Sequence, residues 1–189
     1  MTINTPADYW DPLWVSGRRY RGLGPEEQQL TRHFLGAGHC RSALDIGCGD
    51  GALGRYLHAD LGYRTTAIDC SAAALKIAQA EQNAKDGPVF QQLDIETDDT
   101  SVLPDAGYAL VTCRLVFAFI KDKPAFLDRI RCLLPPGGTF WVVTPLAERL
   151  PEERKSIGIT AQQAELLTAP WSSVESEDLD LMRCYALRP

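Results

Sequence analysis

Paired cysteines are missing from this chain of 189 residues. Its six cysteines, Cys40, Cys48, Cys70, Cys113, Cys132 and Cys184, stand singly with no C-x-x-C spacing. That argues against a zinc site or a disulfide scaffold and fits reduced thiols. Positive charge is in deficit, with 19 Lys and Arg against 25 Asp and Glu and a formal net charge of −6. A protein that held nucleic acid through its overall field would carry the opposite balance. The longest apolar stretch, residues 109–120, is too short for a bilayer and is interrupted by Arg114, so no membrane partner is expected. MTINTPADYW, at the start, has neither a basic segment nor an apolar segment of signal-peptide length, and a cytoplasmic location is expected. Histidine is scarce, and none of the three is well placed as a base. His58 falls late in a helix, His39 precedes a strand at its wrong edge, and His33 reads as a surface helix residue. What remains, 45% hydrophobic and 23% charged residues, is the composition of one ordinary globular domain.

Pattern along the chain alternates between two periods. Gly24-Pro25-Glu26-Glu27 starts a helix that Gly36 and Gly38 end. Strands are expected at 42–46, 63–68, 89–93, 108–113 and 139–143, and helices at 52–59, 71–84 and 123–134, with Ser71 as an N-cap. Such alternation implies right-handed crossovers and a mostly parallel sheet covered on both faces. After a helix at 161–167, strands at 171–175 and 182–187 have no helix between them and must pair antiparallel as a hairpin at the sheet edge. Residues 1–24, rich in aromatics and arginine, read as a separate flap before a body of residues 25–189.

The segment ALDIGCGDGALG, residues 43–54, breaks a strand into glycines. Gly47 and Gly49 allow a sharp turn and a close ligand approach, but the loose G-x-G-x-x-G/A pattern they form with Ala52 does not name a cofactor. The acids beside it do. Asp45 lies in an apolar strand, where a carboxylate is costly unless a cation or a donor meets it. A pyrophosphate would be repelled there, and a ligand with ammonium and sulfonium groups would not. Asp69 ends the second strand, about twenty residues on, where an acid accepts from ribose hydroxyls. Asp94 and Ile95 follow the third strand and suit the amino group and ring of an adenine.

LDIGCGDG, AIDCS, QLDI and LLPPGGTFWVV, in that order, resemble the signatures of the class I S-adenosylmethionine-dependent methyltransferases. The resemblance covers roughly residues 40–145 and the terminal hairpin. It implies a Rossmann-like three-layer α/β sandwich, with a seven-stranded mostly parallel sheet and an antiparallel C-terminal hairpin strand. S-adenosylmethionine is the implied cofactor, and methyl transfer to a small-molecule O, N or S nucleophile the implied activity. Carried over residue by residue, Asp45, Gly47 and Gly49 would line the methionine moiety, Asp69 the ribose, and Asp94 with Ile95 the adenine. Cys48, Cys70 and Cys113 fall at strand ends where small residues let the chain hug a cofactor. YALVTC departs from the family by lacking an early acid in its fourth strand. The spacing of Trp10 and Trp14 is similar to the tryptophan pair that covers the cofactor in thiopurine- and tellurite-type methyltransferases. An aromatic lid suits a sulfonium, while the same spacing also packs an amphipathic helix.

Arg18, Arg19, Arg21 and Arg114 read either as recognition of an anionic substrate, or of the cofactor carboxylate by Arg114, or as solvated charge. Tyr9, Tyr20, Arg21 and Phe117 are the candidates for contact with the acceptor, and the stretch 147–159 is a further source of specificity. With no good base, an acceptor that is already nucleophilic is favoured. An NAD-dependent oxidoreductase and a non-catalytic binding module on the same fold are the other readings. The Asn/Asp-Pro-Pro-aromatic tetrapeptide of amino-directed base modifiers is absent from the sequence.

Overall fold

A computed structural model describes residues 6–82 and 86–189. Seven strands form one sheet in the order β3-β2-β1-β4-β5-β7-β6. They are β1 (Ser42–Ile46), β2 (Arg64–Asp69), β3 (Val89–Gln92), β4 (Leu110–Arg114), β5 (Thr139–Pro145), β6 (Ser173–Leu179) and β7 (Met182–Arg188). The first five pair in parallel, and β7 pairs antiparallel with both β5 and β6. The helices are α1 (Pro6–Val15), α2 (Pro25–Leu35), α3 (Ala52–Ala59), α4 (Ala72–Ala80), α5 (Lys123–Leu133) and α6 (Ala161–Thr168). Chain direction across the sheet reverses between β1 and β4, and the crevice outside the carboxyl ends of those strands is where open α/β sheets take ligands.

Period-two alternation in the central strands builds a core on each face. Val111, Phe140 and Val142 face a cluster with Phe126, Ile130 and Trp171. Their neighbours Leu110, Trp141 and Val143 face the other way, against Leu53, Tyr56 and Leu57 of α3. Both faces are therefore covered, and the strands read as continuous apolar runs. Side-chain caps fix the starts of α4, α5 and α6. Ser71 Oγ accepts from the Ala74 amide, Asp122 from Ala125, and Thr160 forms a capping box with Gln163.

Boundaries differ from the sequence expectation where tertiary packing decides them. Tyr108 is buried in the core ahead of β4 instead of opening it. Trp171 likewise packs in the core, with its indole N–H donating to Leu167 O at 2.8 Å, and β6 begins two residues later. Helix α4 ends at Ala80, and the last expected residues of that helix, 83–84, lie outside the described residues. So do residues 1–5 of the expected flap. No helix among the described residues is long and apolar enough to cross a membrane.

Candidate functional site

Behind β1 the chain runs through Gly47 and Gly49 at φ +66° and +55°. This is a left-handed backbone that glycine adopts without a side-chain penalty. Close packing demands glycine as well. A Cβ on Gly47 would overlap Val116 Cγ2, and one on Gly49 would sit 3.1 Å from the Trp14 ring. Asp69, at the end of β2, ties this turn to the next. Its Oδ2 accepts from the Gly49 amide and its Oδ1 from the Ser71 amide, both at 2.8 Å. Burial pushes its carboxyl above the usual range, against the pull of those two amides.

A cavity of about 640 Å³ opens over this turn, a volume of the size that holds small ligands and cofactors. Gly47, Cys48, Gly49, Asp50, Asp69 and Cys70 form one wall. Helix α1 covers it. Asp11 anchors that helix by accepting from Ser71 Oγ at 2.5 Å and from the Ala73 amide at 3.1 Å, so a carboxylate sits at the positive N-terminus of α4. Trp14 is buried against the glycine turn, and its ring meets Tyr20 edge-on at 5.0 Å. Trp10 meets Tyr9 and Phe119 at 4.9 Å and Tyr20 at 5.8 Å. These rings form an aromatic roof, and all five border the cavity.

Of the residues expected from sequence, Gly47, Cys48, Gly49, Asp69, Cys70, Trp10, Trp14, Tyr9, Tyr20, Arg21 and Arg114 are brought together on the cavity wall. The Cys70 thiol is pushed up to about 12 by burial and by the nearby Asp69 and Asp94 charges, so it faces the cavity as a neutral group. Five other residues are placed elsewhere. Asp45 lies beneath the turn, fully buried between β2 and β4. Thr112 Oγ1 donates to its Oδ1 at 2.7 Å, while Oδ2 has no hydrogen bond among the described residues. Burial pushes its carboxyl up to about 7, opposed by the Thr112 hydroxyl. Cys113 and Phe117 are fully buried in the core, Cys113 because strand alternation puts it on the Val111 face of β4, and Phe117 because the short turn after β4 directs it inward. Asp94 spends its carboxylate on its own loop, accepting from the Glu96 amide and from Thr97 Oγ1, and Ile95 packs against the core.

The arginines divide. Arg114 forms a two-pronged pair with Glu27 of α2, at 2.6 and 2.9 Å, and also donates to Gly22 O. Glu27 is only 2% exposed, so this is a structural anchor that fastens the segment after α1 to the end of β4. Arg21 pairs with Asp180 in the β6–β7 turn at 3.1 Å. Arg18 and Arg19 form no ion pair among the described residues. The stretch 147–159 contributes Leu150, Glu153, Arg154 and Ile157 to the wall, joined by Pro145, Leu181 and Met182. Sequence reasoning reached that stretch only as a region. Nothing in it announces which side chains turn toward the crevice, and Leu181 and Met182 carry no signal beyond hairpin position. None of the three histidines borders the cavity.

A family model described as a methyltransferase domain matches residues 44–140. An uncharacterized methyltransferase of Mycobacterium tuberculosis (strain ATCC 25618 / H37Rv) is 37% identical over 102 residues, 53% of this chain and 49% of that protein. A malonyl-[acyl-carrier protein] O-methyltransferase of Pseudescherichia vulneris is 33% identical over 130 residues, 69% of this chain and 49% of the other. Among solved structures, an S-adenosylmethionine-dependent methyltransferase from Mesorhizobium loti has a TM-score of 0.72 at 16% identity, covering 88% of this chain and 99% of that one. At that identity the likeness is one of fold. The chain spans about half the length of the curated relatives it matches.

Proposed function

Because the chain belongs to the class I S-adenosylmethionine-dependent methyltransferases, we propose that its cavity binds S-adenosylmethionine and directs a methyl group onto a small anionic molecule in the cytoplasm. One observation carries the reading. The Asp69 carboxylate is held at the cavity wall by the Gly49 and Ser71 amides, directly beside the glycine turn. Each of its oxygens keeps acceptor capacity for a ribose hydroxyl. The residues fit the group in other respects too. Gly47 and Gly49 bring bare backbone to the cavity wall, and the roof of Trp10, Trp14 and Tyr20 suits a sulfonium.

When bound, the cofactor supplies an activated methyl group whose carbon–sulfur electron pair returns to sulfur as the acceptor attacks in line. The chain's own residues bind and orient. Gly47 and Gly49 would hold the methionine end, Asp69 the ribose, and the Cys70 side of the cavity, toward Asp94 and Ile95, the adenine. Helix α1 and residues 16–24 would act as a lid on the body of residues 25–189, excluding water from the transfer. Asp45 would contribute from beneath the turn. No histidine stands at the cavity, which supports an acceptor that is already nucleophilic. The O-methyltransferase relatives favour oxygen as that atom. Net charge supports a small molecule in place of a nucleic acid, and Arg18, Arg19 and Arg154 on the wall support an anionic one.

Calorimetric titration with S-adenosylhomocysteine, the demethylated product, tests the assignment. Binding should weaken by about 1–3 kcal/mol in Asp69→Ala, the scale of a buried hydrogen-bonding partner lost. Silence with the wild-type chain would overturn the reading. Heat with NAD in its place would move the protein to the oxidoreductases. Unchanged affinity in Asp69→Ala would remove Asp69 from the ribose.

A further inference from the structure

The cavity is polarised along the sheet. Strands lie about 4.8 Å apart, so the ends of β2 and β7, four steps apart in the sheet order, are separated by roughly 19 Å. Acids occupy the β2–β1 side, with Asp69 ending β2 and Asp50 following β1. On the β5–β7 side the wall is an apolar strip of Leu150, Ile157, Leu181 and Met182. Segment 18–21 crosses above it, fixed where Tyr20 packs on Trp14 and where Arg21 reaches Asp180.

Arginines from two separate segments border this cavity. Arg18, Arg19 and Arg154 all border the cavity, and none forms an ion pair among the described residues. Arg18 lies 6.0 Å from the centre of the Tyr20 ring, and Arg19 donates to the Arg18 carbonyl. Glu153 is the one acid among the wall residues contributed by the turn 152–157. A single exposed arginine is solvated charge. Three of them bordering one cavity beside an apolar strip, in a chain of net charge −6, outnumber Glu153 there and form an anion site.

Resting on the cofactor placement above for its orientation, we propose that the acceptor is an amphipathic organic anion bound by its two ends. A carboxylate or phosphate at the far end docks on Arg18, Arg19 and Arg154. An apolar body lies along Leu150, Ile157, Leu181 and Met182. The nucleophilic atom is at the opposite end, against the glycine turn beneath Trp10 and Trp14. The arginines then decide which molecules are accepted, and the apolar strip sets the spacing between anchor and acceptor atom.

The test titrates octanoate, octyl phosphate, octan-1-ol and inorganic phosphate into the full chain by calorimetry, with and without saturating S-adenosylhomocysteine. Both amphipathic anions should bind at least tenfold more tightly than the alcohol, and the tighter of the two identifies the head group. In Arg19→Ala/Arg154→Ala that preference should fall to about twofold or less while affinity for S-adenosylhomocysteine is unchanged. Arg131→Ala, on the exposed side of α5, should keep the full preference. Equal binding of alcohol and anions, a preference that survives in the double variant, or inorganic phosphate binding as tightly as octyl phosphate would each overturn the subsite. Anion preference without any S-adenosylhomocysteine binding would overturn the cofactor reading and leave the subsite standing.

Discussion

Replacing Asp45 by asparagine should remove a pH dependence that the wild-type chain carries. The Asp45 carboxyl is raised from 3.8 to about 7, first by burial and secondarily by the Asp69 charge, against the Thr112 hydroxyl and the Arg114 charge. The folded state therefore holds this proton more tightly than the unfolded chain does. Stability linked to it is fully present below pH 3.8 and is lost as pH rises toward 7. About three pH units at 1.36 kcal/mol each give a total loss of about 4 kcal/mol. Roughly two of those units lie above pH 5, so about 3 kcal/mol should disappear between pH 5 and pH 8. Asparagine keeps an oxygen for the Thr112 hydroxyl and does not titrate. Any cost of burying its NH₂ is a constant offset. Asp69, whose shift has the same sign, titrates in both proteins, so only its coupling to the Asp45 charge enters the difference. Urea unfolding followed by tryptophan fluorescence at several pH values gives that difference directly. Parallel wild-type and Asp45→Asn profiles, separated by a fixed amount, would refute the reasoning.

Gly47→Ala combines a left-handed φ, costing about 1–2 kcal/mol, with overlap on Val116. Adding Val116→Ala should recover the overlap but not the backbone cost, giving a favourable coupling of at least about 0.5 kcal/mol in a double-mutant cycle of urea stabilities. Asp11→Ala removes the acceptor that holds α1 to the start of α4, a loss of about 1 kcal/mol on the scale of helix caps. Limited proteolysis should then cut within residues 6–24 about fivefold faster while cleavage of the body is unchanged. Equal rates would mean that the tryptophans alone hold the lid.

Elements whose signals are local were legible in the sequence. Strand β1 and helix α3 have the expected ends, 42–46 and 52–59, because an apolar run, a glycine break and a helical stripe lie within a dozen residues. Polar, exposed Ser176, Glu177 and Asp178 hide the second half of β6, which exists through its pairing with β7 at the sheet edge. Chemistry at the strand ends divided in the same way. Asp69 could be placed because it closes a strand at a fixed distance from the glycines. Asp45 has the same composition signal, yet strand alternation turns its side chain beneath the turn. Arg114 had to find a partner, but Glu27 is 87 residues away in the chain, and no local pattern connects the two. Phe117 and Cys113 sit in the one apolar stretch with enough residues to serve both core and cavity. Packing sends them to the core and leaves Val116 and Phe119 at the wall.

A crystal structure of the chain with S-adenosylhomocysteine decides whether this cavity is the cofactor site. Ribose hydroxyls should lie on the Asp69 carboxylate, the methionine end against Gly47 and Gly49, the sulfur beneath Trp10 and Trp14, and open space should run from the sulfur toward Arg154. A ligand seated elsewhere, or in this cavity with its ribose away from Asp69, would contradict that assignment.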